Sequence, residues 1–166
     1  MSNNFKFWLI SVGILVLALI ITIWVEESQK NNLREDAVSN MKSLKTYYDK
    51  EVRRSTKSQL TVFSKSFVWA LRSEILRDNL EQAKIYLNQL VKEEQFELIV
   101  FVDSDGKILL STQKKIEDKP FTEFYDAAYL ESDEIVINYK SSKYFVSAPV
   151  MGFSNKLGLI YFEYQK

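Results

Sequence analysis

The sequence predicts an α+β chain: an N-terminal transmembrane helix, a long stalk helix, and a five-stranded antiparallel sheet with flanking helices. Three observations predict it. An apolar run without a charge extends from Phe7 to Val25. Between Glu26 and Asp105 there is neither Gly nor Pro, so helix is the expected state of that stretch. From Phe96 onward the apolar residues recur with period two in short runs divided by turn residues, which is the pattern of strands.

The run FWLISVGILVLALIITIWV has the length of a membrane span, roughly 28 Å at about 1.5 Å per residue. Trp8 and Trp24 lie near its ends, where amphipathic rings favour the headgroup level. Lys6 precedes it and Glu26 and Glu27 follow, so the positive-inside rule puts the N-terminus in the cytoplasm and the rest of the chain outside. A cleaved signal peptide is the alternative. Against it, the run exceeds a signal h-region, and Ile23 and Val25 stand where a small-x-small site would be needed. The division expected is therefore residues 1–6 as a short cytoplasmic tail, 7–25 as the span, 26–59 as a helical stalk and 60–166 as an extracytoplasmic domain.

Beyond the span, Leu33, Ala37, Met41, Leu44, Tyr48 and Val52 follow one another at three and four residues, forming one stripe on a helix that runs from about Glu27 to Arg77. The polar stretch from Arg53 to Gln59 interrupts the stripe, which resumes at Leu60, Phe63, Phe67, Leu71 and Ile75. An exposed apolar stripe beside a membrane needs a partner, and a parallel homodimer or another membrane protein satisfies it. Folding back onto its own domain is the other solution. Asp78 with Glu81 three residues on resembles a capping box, opening a second helix whose apolar face is Leu80, Ala83, Leu87, Leu90 and Val91.

The strands expected are Phe96 to Val102 and Lys107 to Thr112, joined through Asp103-Ser104-Asp105-Gly106, then Glu134 to Tyr139, Lys143 to Met151 and Leu157 to Tyr164. A long connection from Gln113 to Asp133 contains Pro120 and a short helix expected at Thr122 to Leu130. Leu98, Val100 and Val102 alternate with Ile99 and Phe101, so both faces of the sheet are apolar and both must be covered. The long helix is expected on one face and the Gln113 to Asp133 segment on the other, with an aromatic-lined ligand cavity beneath that segment.

Composition removes several classes of function. There is no Cys and no His, which excludes thiolate nucleophiles, Cys/His zinc sites, imidazole bases and a phosphoacceptor histidine. Lys plus Arg and Asp plus Glu are equal at 22 each, which argues against nucleic acid as a partner. Glu131 to Glu134 reads as a solvated loop rather than a pair of catalytic carboxylates, so no enzyme, no cofactor and no metal site is expected. Asp103 to Gly106 lacks the later ligands of a calcium loop, because Ile108, Leu109 and Leu110 follow, and reads as a plain hairpin turn.

The stretch LEQAKIYLNQLVKEEQFELIVFVDSDGKILLST, with the helices before it and the three-stranded meander after it, resembles the single Cache family over roughly Leu60 to Tyr164. These are PAS-like extracytoplasmic sensor domains of bacterial receptors and kinases. The resemblance implies a ligand between the sheet and the loop after the second strand, and a place at the bacterial inner (cytoplasmic) membrane with the domain periplasmic. The family's amino-acid-binding motif does not align here residue by residue, so only the location carries over. In receptor members a second membrane helix and an output module follow the last strand, whereas here the sequence ends two residues after Tyr164.

Tyr125, Tyr129, Tyr139 and Tyr144 are the candidate ligand-binding phenols, since such groups both pack and orient a small ligand, with ordinary core packing as the alternative. Ser147 offers a pocket hydroxyl in a central strand, and Trp69 and Arg72 stand near the end of the long helix, facing either a pocket or solvent. The function expected is a membrane-anchored sensory or binding module without its own output domain, acting through a membrane or periplasmic partner. The alternatives are a structural subunit of a membrane complex with no small-molecule ligand, and a truncated sensor kinase or chemoreceptor.

Overall fold

The structure, a computed structural model, describes the backbone of residues 3–165; ahead of Val38 it describes side chains only at Gly13, Leu17, Ile21, Trp24 and Asp36. The chain divides into two compact units, Met1–Arg53 and Arg54–Lys166. The first helix, α1, is Asn3–Leu76 and passes through Arg53 to Gln59 without a break. Most side chains of the apolar run from Phe7 to Val25, and those of Leu33 and Ala37, lie outside what the structure describes. Among the described residues no helix is long and apolar enough to cross a membrane. Met41, Leu44, Tyr48 and Val52, in the first unit, are exposed.

In the second unit α1 turns Leu60, Phe63, Phe67, Val68, Leu71 and Ile75 into one core. The stripe at three- and four-residue spacing is what lets a single helix face do this. α1 stops at Leu76, and Asp78 takes a φ of 56° to reverse the chain. The second helix, α2, is Leu80–Leu90, and its cap is Asn79, whose side chain accepts the Gln82 N–H at 3.3 Å. The expected cap at Asp78 is thus displaced by one residue. Asp78 is used in the left-handed turn, which asparagine and aspartate tolerate well, and the following side chain inherits the capping position. Asn79 also donates to the buried Glu74 carboxylate at 2.9 Å, fastening the end of α1 to the start of α2.

Five strands follow: β1 Phe96–Asp103, β2 Ile108–Ser111, β3 Val136–Lys140, β4 Lys143–Met151 and β5 Lys156–Gln165. They form one antiparallel sheet in the order β2-β1-β5-β4-β3. This α+β architecture fits the PAS/Cache-like arrangement expected from the sequence, with strand ends within about two residues of expectation, the ordinary scatter of such boundaries. Asp103 makes the β1–β2 turn by accepting the N–H groups of Asp105 and Lys107 at 3.0 and 2.9 Å, and Gly106 supplies the positive φ of 82°. The plain hairpin turn is what the chain builds there.

The two faces carry separate cores. α1 and α2 cover Ile99, Phe101, Leu110, Tyr144, Val146, Ala148, Val150, Ile160 and Phe162. On the other face Leu98, Val100, Val102, Ile108, Leu159 and Tyr161 are covered by Ile116 and Phe121 from the connection, with Tyr125, Tyr129 and Leu130 packed alongside. Period-two alternation produces this division directly. The connection holds 3₁₀ turns at Lys114–Ile116 and Phe121–Glu123, and a short helix, α3, at Ala128–Glu131. The expected helix from Thr122 to Leu130 is therefore two shorter pieces. The Asp126 carboxylate accepts the Ala128 N–H at 3.0 Å and starts a new turn instead of continuing the old one.

The connection also closes one sheet edge. Ile108 N–H donates to Lys119 O and Asp118 N–H to Ile108 O, both at 2.9 Å, while Glu117 accepts the Ser111 N–H and pairs with Lys84 of α2 at 2.8 Å. Edge groups of β2 are thereby satisfied within the chain.

Candidate functional site

On the connection side of the sheet a groove of about 400 Å³ lies between the α3 segment and β3. Phe145 of β4 and Tyr161 of β5 belong to its sheet side, Tyr125, Asp126 and Tyr129 to the cover, and Val136, Asn138 and Lys140 to β3. Tyr161 is 1% exposed, and Phe121, Tyr125 and Tyr129 meet its ring at centroid distances of 5.4, 4.6 and 5.3 Å. The space directly beneath the cover is thus filled by rings, and the opening is beside them. Asn138 donates to the Tyr129 hydroxyl at 3.1 Å and links β3 to the cover across the groove.

Two further bonds set the cover's position. Ser147, buried in β4, donates its hydroxyl to Tyr129 O at 3.1 Å. Lys156 donates to Leu130 O at 2.8 Å and Ser132 O at 2.7 Å, with the Asp133 carboxylate at 3.5 Å. One ammonium therefore holds the end of α3 and the approach to β3 together.

The seven candidate residues do not converge on one site. Tyr125 and Tyr129 line the groove just described, and Ser147 touches it only through Tyr129. Trp69 and Arg72 line a different groove, of about 620 Å³, on the helix side of the sheet, together with Thr61, Lys65, Asp133, Glu134 and the end of β4. There Arg72 Nε donates to Met151 O at 2.5 Å and its guanidinium lies 5.0 Å from the Phe153 ring, while Trp69 is exposed. Pro149 is accommodated in that region because the β3 ladder ends at Ser147, leaving no partner on that side for a missing N–H.

Tyr139 and Tyr144 belong to a third place. Tyr144 is buried in the helix-side core, paired across the strands with Tyr139 at 4.8 Å and with Tyr164 at 6.3 Å. Strand parity explains the separation: Tyr144 is one residue from Phe145, so it points to the opposite face. Reading the tyrosines by proximity in sequence to the cover did not include that alternation for β4.

Beside the groove, Glu163 of β5 stands opposite Leu98 on one neighbour and Phe145 on the other. Burial pushes its carboxyl pKa up, Lys143 opposes the shift and Glu97 adds to it. Lys143 itself is ion-paired with Glu97, which raises its own pKa. Burial, with the Glu163 charge, pushes the Tyr125 phenol up to about 12, and burial likewise raises Tyr161. Sequence reasoning missed Phe145, Tyr161 and Asn138, which line the groove, and Glu163 beside it. The parity of Tyr161 and Glu163 with Leu159 is written in the sequence, but which face the connection covers is seen only in the structure.

No family model matches the chain, and no curated protein matches it. Among solved structures it is similar to the sensor domain of the V. cholerae histidine kinase DctB, at 17% identity and a TM-score of 0.42, over 67% of this chain and 49% of that one. The match thus spans about half of that sensor domain's length. At this distance the likeness carries nothing about ligand or partner.

Proposed function

We propose that this chain is a Cache-like extracytoplasmic sensory or binding module, tethered to a membrane through Phe7 to Val25, whose bound state is read by a membrane or periplasmic partner. The observation that supports it most is the groove of about 400 Å³ beside Tyr161, on the sheet face where the sequence resemblance puts a ligand. Its volume is within the range of small-molecule sites, and it combines ring faces with a few polar groups. A ligand seated between α3 and β3 would favour one spacing of those elements over others, and that differential affinity is the signal available to a partner.

The test is ligand screening of the full chain in nanodiscs by thermal shift, using pools of amino acids, organic acids and amines. A ligand at about a hundred times its Kd adds about 2.7 kcal/mol of stability, enough for a clear rise in Tm. Val136→Trp, which fills the groove from β3, should abolish the rise. No stabilisation by any pool would count heavily against a sensing role.

A second reading, a structural interaction module without a small ligand, is favoured by the rings already packed over Tyr161. It predicts no shift from any pool. It also predicts that Val136→Trp leaves the set of proteins co-purifying from native membranes unchanged.

A further inference from the structure

We propose that the groove beside Tyr161 takes an organic ammonium ion, with Glu163 as its counter-ion and the rings of Tyr125, Tyr129 and Tyr161 as its walls. This rests on the groove being a ligand site and adds the charge and shape of what enters it.

The first support is the set of rings. Phe124, Tyr125, Tyr129, Phe145 and Tyr161 all line the groove. Tyr125 and Tyr129 approach Tyr161 with interplanar angles of 42° and 65°, so the rings form a corner rather than a flat stack. Aromatic faces carry negative quadrupole potential, and a concave set of them is the shape that holds an alkylated ammonium. The rim shows the same preference within the chain: Lys119 Nζ stands 5.6 Å from the Phe124 ring centroid.

The second support is charge. Glu163 is two residues from Tyr161 on the same strand face and directly across from Phe145, so it stands beside two residues that line the groove, and its charge acts on the Tyr125 and Tyr161 phenols. Its neighbouring cation, Lys143, is committed to Glu97. Among the described residues the Glu163 carboxylate makes neither an ion pair nor a hydrogen bond, although the residue is partly buried. A carboxylate held partly out of water, whose neighbouring cation Lys143 is shared with Glu97, is incompletely compensated, and a bound cation offsets that cost. Anionic ligands would meet the charges of Glu163 and Asp126, and a neutral ligand would leave Glu163 with only the Lys143 charge that it shares with Glu97.

The third support is the free phenols. Tyr129 has its hydroxyl bonded to Asn138, but among the described residues the hydroxyls of Tyr125 and Tyr161 have no hydrogen-bond partner. Phenol oxygens accept from ammonium N–H groups, so primary and secondary amines gain directed bonds, while quaternary ones rely on ring faces and charge.

The test uses the full chain in nanodiscs, titrated calorimetrically with ethylammonium, choline and tetramethylammonium. Controls are acetate and the neutral carbon isostere of choline, in which a tert-butyl group replaces trimethylammonium. At least one ammonium ion should bind, its affinity falling about tenfold or more in Glu163→Gln and being lost in Val136→Trp, with the isostere weaker by at least a similar factor. Binding should weaken as pH falls through the raised Glu163 pKa, the other titratable groups being Glu97 and Lys143 beside Glu163, and Tyr125, Asp126, Tyr129, Lys140 and Tyr161 along the groove. If acetate or the isostere binds, is blocked by Val136→Trp, and no ammonium does, the ammonium inference is overturned while the groove stands as a ligand site. An ammonium that binds both variants with unchanged affinity sits elsewhere and also overturns it. Should no probe of any class bind, both readings fall.

Discussion

Ser141 and Ser142 join β3 to β4 with φ of 51° and 65°, a two-residue turn in which both central residues are left-handed. Such turns match the twist of a hairpin but favour Asn and Gly, because a Cβ is crowded at positive φ. Ser142→Gly should therefore stabilise the protein by about 1 kcal/mol, read as a rise in the urea midpoint with an unchanged slope. Glu163 carries a second residue-scale prediction. Its folded pKa is raised, mainly by burial, so its contribution to stability is fully present below the unfolded carboxyl value of about 4.3 and is lost as pH rises through the folded value. Glu163→Gln should accordingly be more stable than the parent at neutral pH, with the difference vanishing in acid. Equal pH dependence of the two proteins in chemical denaturation would remove that account.

Among the elements, β5 depends on one residue having no side chain. Gly158 has a φ of 153°, and a Cβ there would lie 2.0 Å from Val102 O on β1. Gly158→Ala must displace β1 from β5 at the centre of the sheet, and should cost about 2–3 kcal/mol or more, measured by thermal denaturation. An unchanged Tm would mean that the strands part there at little cost. The elements were largely legible in the sequence because their periods differ: the stripe Leu60, Phe63, Phe67, Leu71, Ile75 packs on the sheet, and the alternation in β1 and β5 separates the two cores. What could not be read was set by tertiary bonds. The cap fell on Asn79 because Asp78 turns the chain, and the connecting helix was divided by the Asp126 side chain. Of the seven candidate residues, Tyr125 and Tyr129 share a groove, whereas Trp69 and Arg72 line another and Tyr144 is core. Knowing which residues share a site requires the sheet's parity and strand order, and only the parity is written along the chain.

For the molecule as a whole, Arg54–Lys166 holds both cores, so the stripe beginning at Leu60 and the sheet should suffice for folding without the preceding residues. Residues 54–166 expressed alone should unfold in one cooperative transition, with far-UV and near-UV circular dichroism coinciding. Loss of the near-UV signal in that fragment would show that the N-terminal unit is needed for packing. The choice of optical probe for such work follows from Trp69, which is the sole indole of that unit and is 75% exposed in the native state. Its emission will be that of a hydrated tryptophan both before and after unfolding, so a fluorescence melt will be nearly silent while the domain comes apart. The tyrosines gathered around Tyr161 supply the opposite kind of reporter, chiral and dry when folded, and they stand beside the groove that a ligand would enter.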